Sequence, residues 1–194
     1  MIIVGITGTL GAGKGTIVDY LVSKKGFFHY SARKFITEEI EKRGLPVNRD
    51  NMTEVANDLR AKYGPGHIAE ELYKRAASSG ENSVIESLRA VGEINLLRRH
   101  DNFYLFAVDA DPQKRYQRIV LRWSETDYIS YDQFLSNEKR EFKSDDPAKQ
   151  NLSKCIELAD YVFTNDGTIE DLQSQVAVAL KEILKNEQGK TRSP

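Results

Sequence analysis

One stretch near the start of the chain constrains everything after it: Gly8-Thr9-Leu10-Gly11-Ala12-Gly13-Lys14-Gly15-Thr16. An apolar run, Ile2 to Ile6, precedes it, and Ile17 to Val22 follows with helical spacing. Strand, glycine-rich turn and helix, in that order, form the context that a phosphate-binding loop requires. Glycines let successive N–H groups turn inward without Cβ clashes, which makes a concave nest for an anion. The helix behind points its positive dipole end and its unpaired first N–H groups at the same place. Lys14 adds a mobile full charge that can reach β- and γ-phosphates. The stretch reads as a nucleoside triphosphate site.

The rest of the chain alternates short apolar runs with helical ones. Strands are expected at Phe27–Tyr30, Ser83–Glu86, Phe103–Val108 and Tyr161–Thr164, besides the opening run. Helices are expected between them, among them Met52–Lys62, Pro112–Trp123, Tyr131–Phe142 and Pro147–Leu158. Ser124–Ser130 is polar and short of periodicity, and reads as a mobile connection. Thr168 caps a closing helix that ends near Lys185, and 186–194 reads as a polar, frayed tail. Five strands separated by helices predict an α/β fold, with a mostly parallel sheet covered on both faces. Ligands then bind beyond the carboxyl ends of the strands. The phosphate loop, Ser31–Arg33, Glu86–Arg89, Asp109–Asp111 and Asn165–Gly167 should share that rim.

Each rim residue has a functional and a plain reading. Glu86 ends a strand and can hold magnesium through water or orient the attacking group, while Arg89 can clamp an acceptor phosphate. Their plain reading is a strand-end salt bridge. Arg33 lies where an acceptor would lie, or on a solvated helix face. Arg115, Arg118 and Arg122 recur at i, i+3 and i+7 and form one helical stripe, which is either a solvated basic face or a source of lid arginines. Phosphoryl transfer needs positive charge around the moving group and exclusion of water, and the stripe runs into Ser124–Ser130, where a lid would hinge. Arg118 and Arg122 are the lid candidates, with Lys139 and Arg140 behind them. Asn165-Asp166-Gly167 either wraps a nucleotide base with backbone groups or is a plain turn. His29, His67, His100 and Cys155 make no metal-ligand spacing, and Tyr30 and Tyr63 read as core packing.

Bulk properties exclude other classes. The chain has 194 residues, 29% of them charged, and a formal net charge of −1, so no nucleic-acid-coating surface is expected. No apolar run approaches the roughly 18 residues of a membrane span. The opening run lacks a basic region before it and reads as a buried strand, not a signal peptide. The single Cys155 rules out an internal disulfide and fits a reducing compartment, so the expected location is cytoplasmic. No Asn-Lys-x-Asp guanine signature occurs.

The glycine spacing, with Gly15 between Lys14 and Thr16, resembles the variant loop of nucleoside monophosphate kinases. Val84-Ile85-Glu86-Ser87-Leu88-Arg89 with Glu93, Ala107-Val108-Asp109-Ala110-Asp111-Pro112 leading to Arg115 and Arg118, and Ala159–Gly167 follow in the order seen in P-loop nucleotide kinases. The resemblance is closest to dephospho-CoA kinases and adenylate-kinase-related archaeal proteins, whose second group Asp58–Gly66 also resembles. It runs from residue 2 to about 180. It implies a P-loop NTPase fold of three α/β/α layers with a small helical lid. One domain, 1–185, would hold an acceptor-binding helical part at 31–80 and the lid at about 122–145. It further implies ATP and Mg2+ as cosubstrates and a small phosphorylated acceptor near Arg33, Arg60 and Arg89. ATP would lie on Gly11, Ala12, Gly13, Lys14, Gly15, Thr16, Asn165 and Gly167, with Thr16 at the α-phosphate. Lys14, Glu86, Arg118 and Arg122 would act on the transferring group. Two departures stand out: Glu86-Ser87 replaces the Asp-Gly of related chains, and Ser31-Ala32-Arg33 lacks the Thr-Gly of adenylate kinases. The expected reaction carries the γ-phosphoryl of ATP to a nucleoside or deoxynucleoside monophosphate. The alternatives are a dephospho-CoA kinase, or a slow ATPase acting as an assembly or switch factor.

Overall fold

The computed structural model describes residues 1–121, 130–142 and 150–190. Five strands form one sheet in the order β2-β3-β1-β4-β5: β1 Ile3–Gly8, β2 Phe28–Ser31, β3 Ser83–Glu86, β4 Phe103–Asp109 and β5 Tyr161–Thr164. Every pairing is parallel, so the mostly parallel sheet of the sequence reading is wholly so. β1 is central and is the strand that opens into the glycine-rich turn. Its neighbours β3 and β4 continue in opposite directions across the sheet, and a crevice opens at such a switch point.

Alternation along the strands builds two cores. Ile3, Ile85 and Leu105 face one way, under α2 (Ala32–Lys42), α3 (Arg49–Tyr63), α4 (His67–Ser79), α5 (Val91–Leu97) and α8 (Leu152–Glu157). Val4, Ile6, Val84, Phe106 and Val108 face the other, under α1 (Lys14–Lys25) and α9 (Ile169–Lys190). The two layers of helices complete the three-layer P-loop fold. α2 to α4 fill the 31–80 part expected to receive the acceptor.

α6 (Pro112–Leu121) and α7 (Tyr131–Phe142) pack on each other beyond the end of β4. Phe134 of α7 is fully buried, and Tyr116 of α6 meets Tyr131 and Phe134 with ring centroids 5.2 and 5.8 Å apart. α7 occupies the middle of the expected lid. The mobile connection read at 124–130 and the lid flanks fall mainly at 122–129 and 143–149, outside the described residues.

Three expected boundaries move, each for a physical reason. α3 begins at Arg49 because Asn48 Oδ1 accepts the Asn51 N–H at 2.8 Å and caps it. α8 begins at Leu152, not Pro147, because Gln150 bridges to Ala90 and Asn151 caps the helix through Lys154 N. α9 continues past Lys185 to Lys190, where Glu187 accepts a 2.7 Å hydrogen bond from Tyr104 of β4 and ties the last turns to the sheet. Helix therefore replaces most of the expected tail. Among the described residues, no helix is long and apolar enough to cross a membrane.

Cys155 is buried in α8, where burial, reinforced by Glu93, pushes its thiol up to about 12. Its thiolate fraction at pH 8 is then roughly a thousandfold below that of an ordinary thiol. Native protein is expected to react with DTNB slower by about that factor than the same protein in denaturant. Matching rates would contradict the packing.

Candidate active site

The phosphate loop is shaped by its neighbours. Gly8 leaves β1 at φ 136°, and a Cβ there would stand 2.1 Å from the Val108 carbonyl oxygen of β4. No other residue fits so close to that backbone. Gly13 caps α1 at φ 108°, and its Cβ would meet the Asn165 side chain at 2.3 Å. The first helical bond of α1 runs from Ile17 N to Gly13 O, which leaves the N–H groups of Gly15 and Thr16 without helical partners. These amides form the start of an anion site. Lys14 Nζ lies back over the loop and donates to Gly8 O at 2.8 Å and Thr9 O at 2.7 Å.

Three elements brace this loop, and a fourth backs one of them. Asn165, at the end of β5, donates from Nδ2 to Ala12 O at 2.7 Å. Thr9 Oγ1 donates to Asp109 at the end of β4, 2.6 Å away. Arg115 of α6 donates to Ala110 O and Leu10 O, and pairs with Glu138 of α7 at 2.5 Å. Arg115 is 3% exposed, so it is not part of a solvated basic face. A buried guanidinium requires acceptors all round, and the chain supplies them from three segments. Arg115 is a brace beneath the loop rather than a lid arginine.

The remaining nucleotide-side expectations divide. Ala12 is buried and its N–H goes to Thr9 O at 3.3 Å, so its amide serves the loop itself. Asn165 is 7% exposed, with its side chain on Ala12 O and its own carbonyl accepting from Arg118 at 2.8 Å. Its side chain is engaged with the loop. Gly167 lies in the exposed turn before α9, where a Cβ would meet Asp171 at 2.5 Å. Thr16 is half-buried in the first turn of α1. Arg118 Nη1 is buried with no hydrogen-bond partner among the described residues. Arg122 lies outside them, and so do the side chain of Arg140 and the flanks of the lid.

The acceptor-side expectations converge. A cleft of about 960 Å³ runs between the phosphate loop and α2–α3, and Gly11, Gly13, Lys14, Gly15, Arg33, Arg60, Glu86 and Arg89 all line it. Arg33 is exposed in the first turn of α2, whose cap is Ser31. Arg60 is in the last turn of α3, half-buried. The guanidinium groups of Arg33 and Arg60 have no partner among the described residues. The Arg89 loop is held from below by Glu93, a buried carboxylate that accepts from Arg89 N at 3.0 Å and Ala90 N at 3.1 Å. Asn151 N closes on Arg89 O from the other side at 3.0 Å.

Glu86 accepts from His29 Nε2 at 3.1 Å. The pair arises from register, since His29 lies opposite Val84 and Glu86 is two residues further along the same face. The hydrogen bond from His29 holds the Glu86 carboxyl below its ordinary value, against the opposing effect of burial, with smaller contributions from Lys14 and Arg89. Sequence reasoning overlooked His29, which carries no local signal. Glu93 had one: a Glu at the third position of a helix that can take the cap's N–H. No cluster of three or more His, Cys, Asp or Glu suited to a metal occurs among the described residues. Among the described residues, Glu86 is the one carboxylate that lines the cleft. One carboxylate beside bound phosphates is the usual donor set for Mg2+, which keeps most of its waters. The residues present fit that ion.

A parallel sheet whose central strand opens into a phosphate loop, facing arginines across a cleft, defines a P-loop protein of kinase-like architecture. Residues 4–145 match the AAA domain family, and the chain belongs to it. It is similar to a UPF0200 protein of Methanocaldococcus jannaschii, 29% identical over 189 residues that cover 96% of this chain and 92% of that protein. In fold it is similar to a gluconokinase from Sinorhizobium meliloti, at TM-score 0.60 and 12% identity over 98% of both chains. It is likewise similar to the dephospho-CoA kinase of Campylobacter jejuni, at TM-score 0.58 and 14% identity, covering 95% of this chain and 98% of that one.

Two outcomes follow from the bracing. Asn165→Ala leaves the Ala12 carbonyl buried and unpaired, and should cost about 1–3 kcal/mol in urea unfolding. His29→Ala removes the bond that lowers Glu86, so the Glu86 carboxyl should titrate at higher pH by carbon-detected NMR. A depressed carboxylate stabilises the fold above its unfolded value, and that contribution is lost as pH falls through the folded one. The stability gap between wild type and His29→Ala should therefore close as the solution is acidified through the Glu86 titration.

Proposed function

We propose that this chain is an ATP-dependent phosphotransferase that moves the γ-phosphoryl to a small phosphorylated acceptor, with a nucleoside or deoxynucleoside monophosphate as the best fit. The observation that carries the reading is the single cleft shared by Lys14, Glu86 and the three guanidinium groups of Arg33, Arg60 and Arg89. Three permanent cations facing a phosphate loop suit an anionic acceptor.

The loop amides and Lys14 would bind the β- and γ-phosphates, and Thr16 would lie at the α-phosphate. Glu86 would hold Mg2+ through water; the ion, when bound, neutralises charge on the phosphate oxygens. Arg89, aided by Arg33 and Arg60, would orient the acceptor so that one of its phosphate oxygens attacks the γ-phosphorus in line. The bond from that phosphorus to the β–γ bridging oxygen breaks, and ADP leaves with the electron pair. Positioning and charge neutralisation carry the catalysis. Arg118 and Arg122 are the candidates to neutralise the group in flight, Arg118 through its Nη1, which has no partner among the described residues.

The three guanidinium groups lining the cleft favour a phosphate as the attacking group. A phosphomonoester dianion has no proton to lose. A hydroxyl would have to give its proton to a carboxylate, and Glu86 would then take that role.

ADP release from ATP should rise severalfold with at least one of AMP, CMP, UMP, GMP, their deoxy forms and dTMP, and not with dephospho-CoA. Lys14→Ala should lower that activity by about 10²–10³-fold, and Arg89→Ala should raise the acceptor KM by roughly 10–100-fold. Turnover indifferent to every acceptor would point to a slow ATPase switch, and stimulation by dephospho-CoA alone would point to a hydroxyl acceptor.

A further inference from the structure

Ser87 is the one non-glycine residue with positive φ among the described residues, at 71°. All seven other positive φ angles there belong to glycines. In the left-handed region an L-residue crowds its Cβ against its own backbone, and serine is not one of the residues that tolerate this well. The conformation is imposed from both sides. Glu86, before it, is paired in β3 with Ile6 and Ser31. Leu88, after it, donates to Ile6 O at 3.1 Å, and Glu93 clamps the next two N–H groups. Glycine would meet the same constraint without strain.

What serine adds is a hydroxyl, and that hydroxyl makes no hydrogen bond to any described residue. Ser87 is half-buried and lines the cleft with its sequence neighbour Glu86 and with Arg89. A polar group held in a strained conformation at a cleft, with no partner among the described residues, is a pattern of ligand-contacting sites.

We infer that Ser87 is a specificity residue for the acceptor: its Oγ–H donates to a phosphate oxygen of the phosphomonoester beside the Arg89 guanidinium. The inference rests on the phosphotransferase reading above and adds a neutral donor to its cationic acceptor site. No proton is transferred in this role.

Ser87→Gly and Ser87→Ala separate the hydroxyl from the strain. The measurement is steady-state ADP release with ATP and whichever monophosphate of the panel most stimulates the wild type, alongside thermal unfolding. Ser87→Gly should raise Tm by about 2–4 °C and raise the acceptor KM about tenfold, with the ATP KM unchanged. Ser87→Ala should give the same rise in acceptor KM without the gain in Tm. An acceptor KM that stays at the wild-type value in either variant overturns the inference while leaving the phosphotransferase reading intact. A wild type that no acceptor stimulates overturns both.

Discussion

A loop that turns its N–H groups toward an anion must be held open by something other than the anion. Here the holding is done by the tip of the sheet. The backbone of β4 presses on Gly8, and Asn165 at the end of β5 takes the Ala12 carbonyl. Arg115 reaches Leu10 from below. Each contact satisfies a group that a free loop would leave to water, and each comes from a segment far away in sequence. The loop's dipoles are held in one orientation, which is what an anion nest requires.

The same economy appears across the cleft. Arg89 is placed by a buried carboxylate beneath its backbone, with Asn151 closing from the far side. Glu93 does not itself line the cleft, yet it fixes the N–H groups on either side of the Arg89 side chain. Glu86 is fixed by an edge-strand histidine. Rigid support of this kind lets long side chains such as Arg33 and Arg60 supply adaptability while the loop geometry stays constant.

How much of this was legible in the sequence follows from where each signal resides. The phosphate loop was legible because its chemistry is local, with glycines and a lysine in a fixed order between strand and helix. β3 and β5 were legible to the residue, because turn-forming residues bound short apolar runs. The gathering of Arg33, Glu86 and Arg89 at one cleft followed from the parallel topology, which sends every strand end to the same rim, whereas Arg60, in the last turn of α3, was given only by the family resemblance. Partners contributed by distant segments were not legible. Arg115 has the spacing of a surface stripe, and its burial depends on Leu10, Ala110 and Glu138. Asn165 looks like a turn residue until the Ala12 carbonyl stands beside it. The Pro147 start of α8 failed because the cap at Asn151 and the bridge to Ala90 outweigh local helical preference, and α9 outran Lys185 because Tyr104 holds Glu187.

The sheet ends on both sides in strands of four residues, β2 and β5. Each margin therefore offers an incoming strand a short row of unpaired backbone groups, too brief to template the stacking that longer open edges promote. Growth of the sheet by addition of foreign strands is disfavoured by length alone, and a long central strand can carry the chemistry without lending its hydrogen-bonding capacity to aggregation.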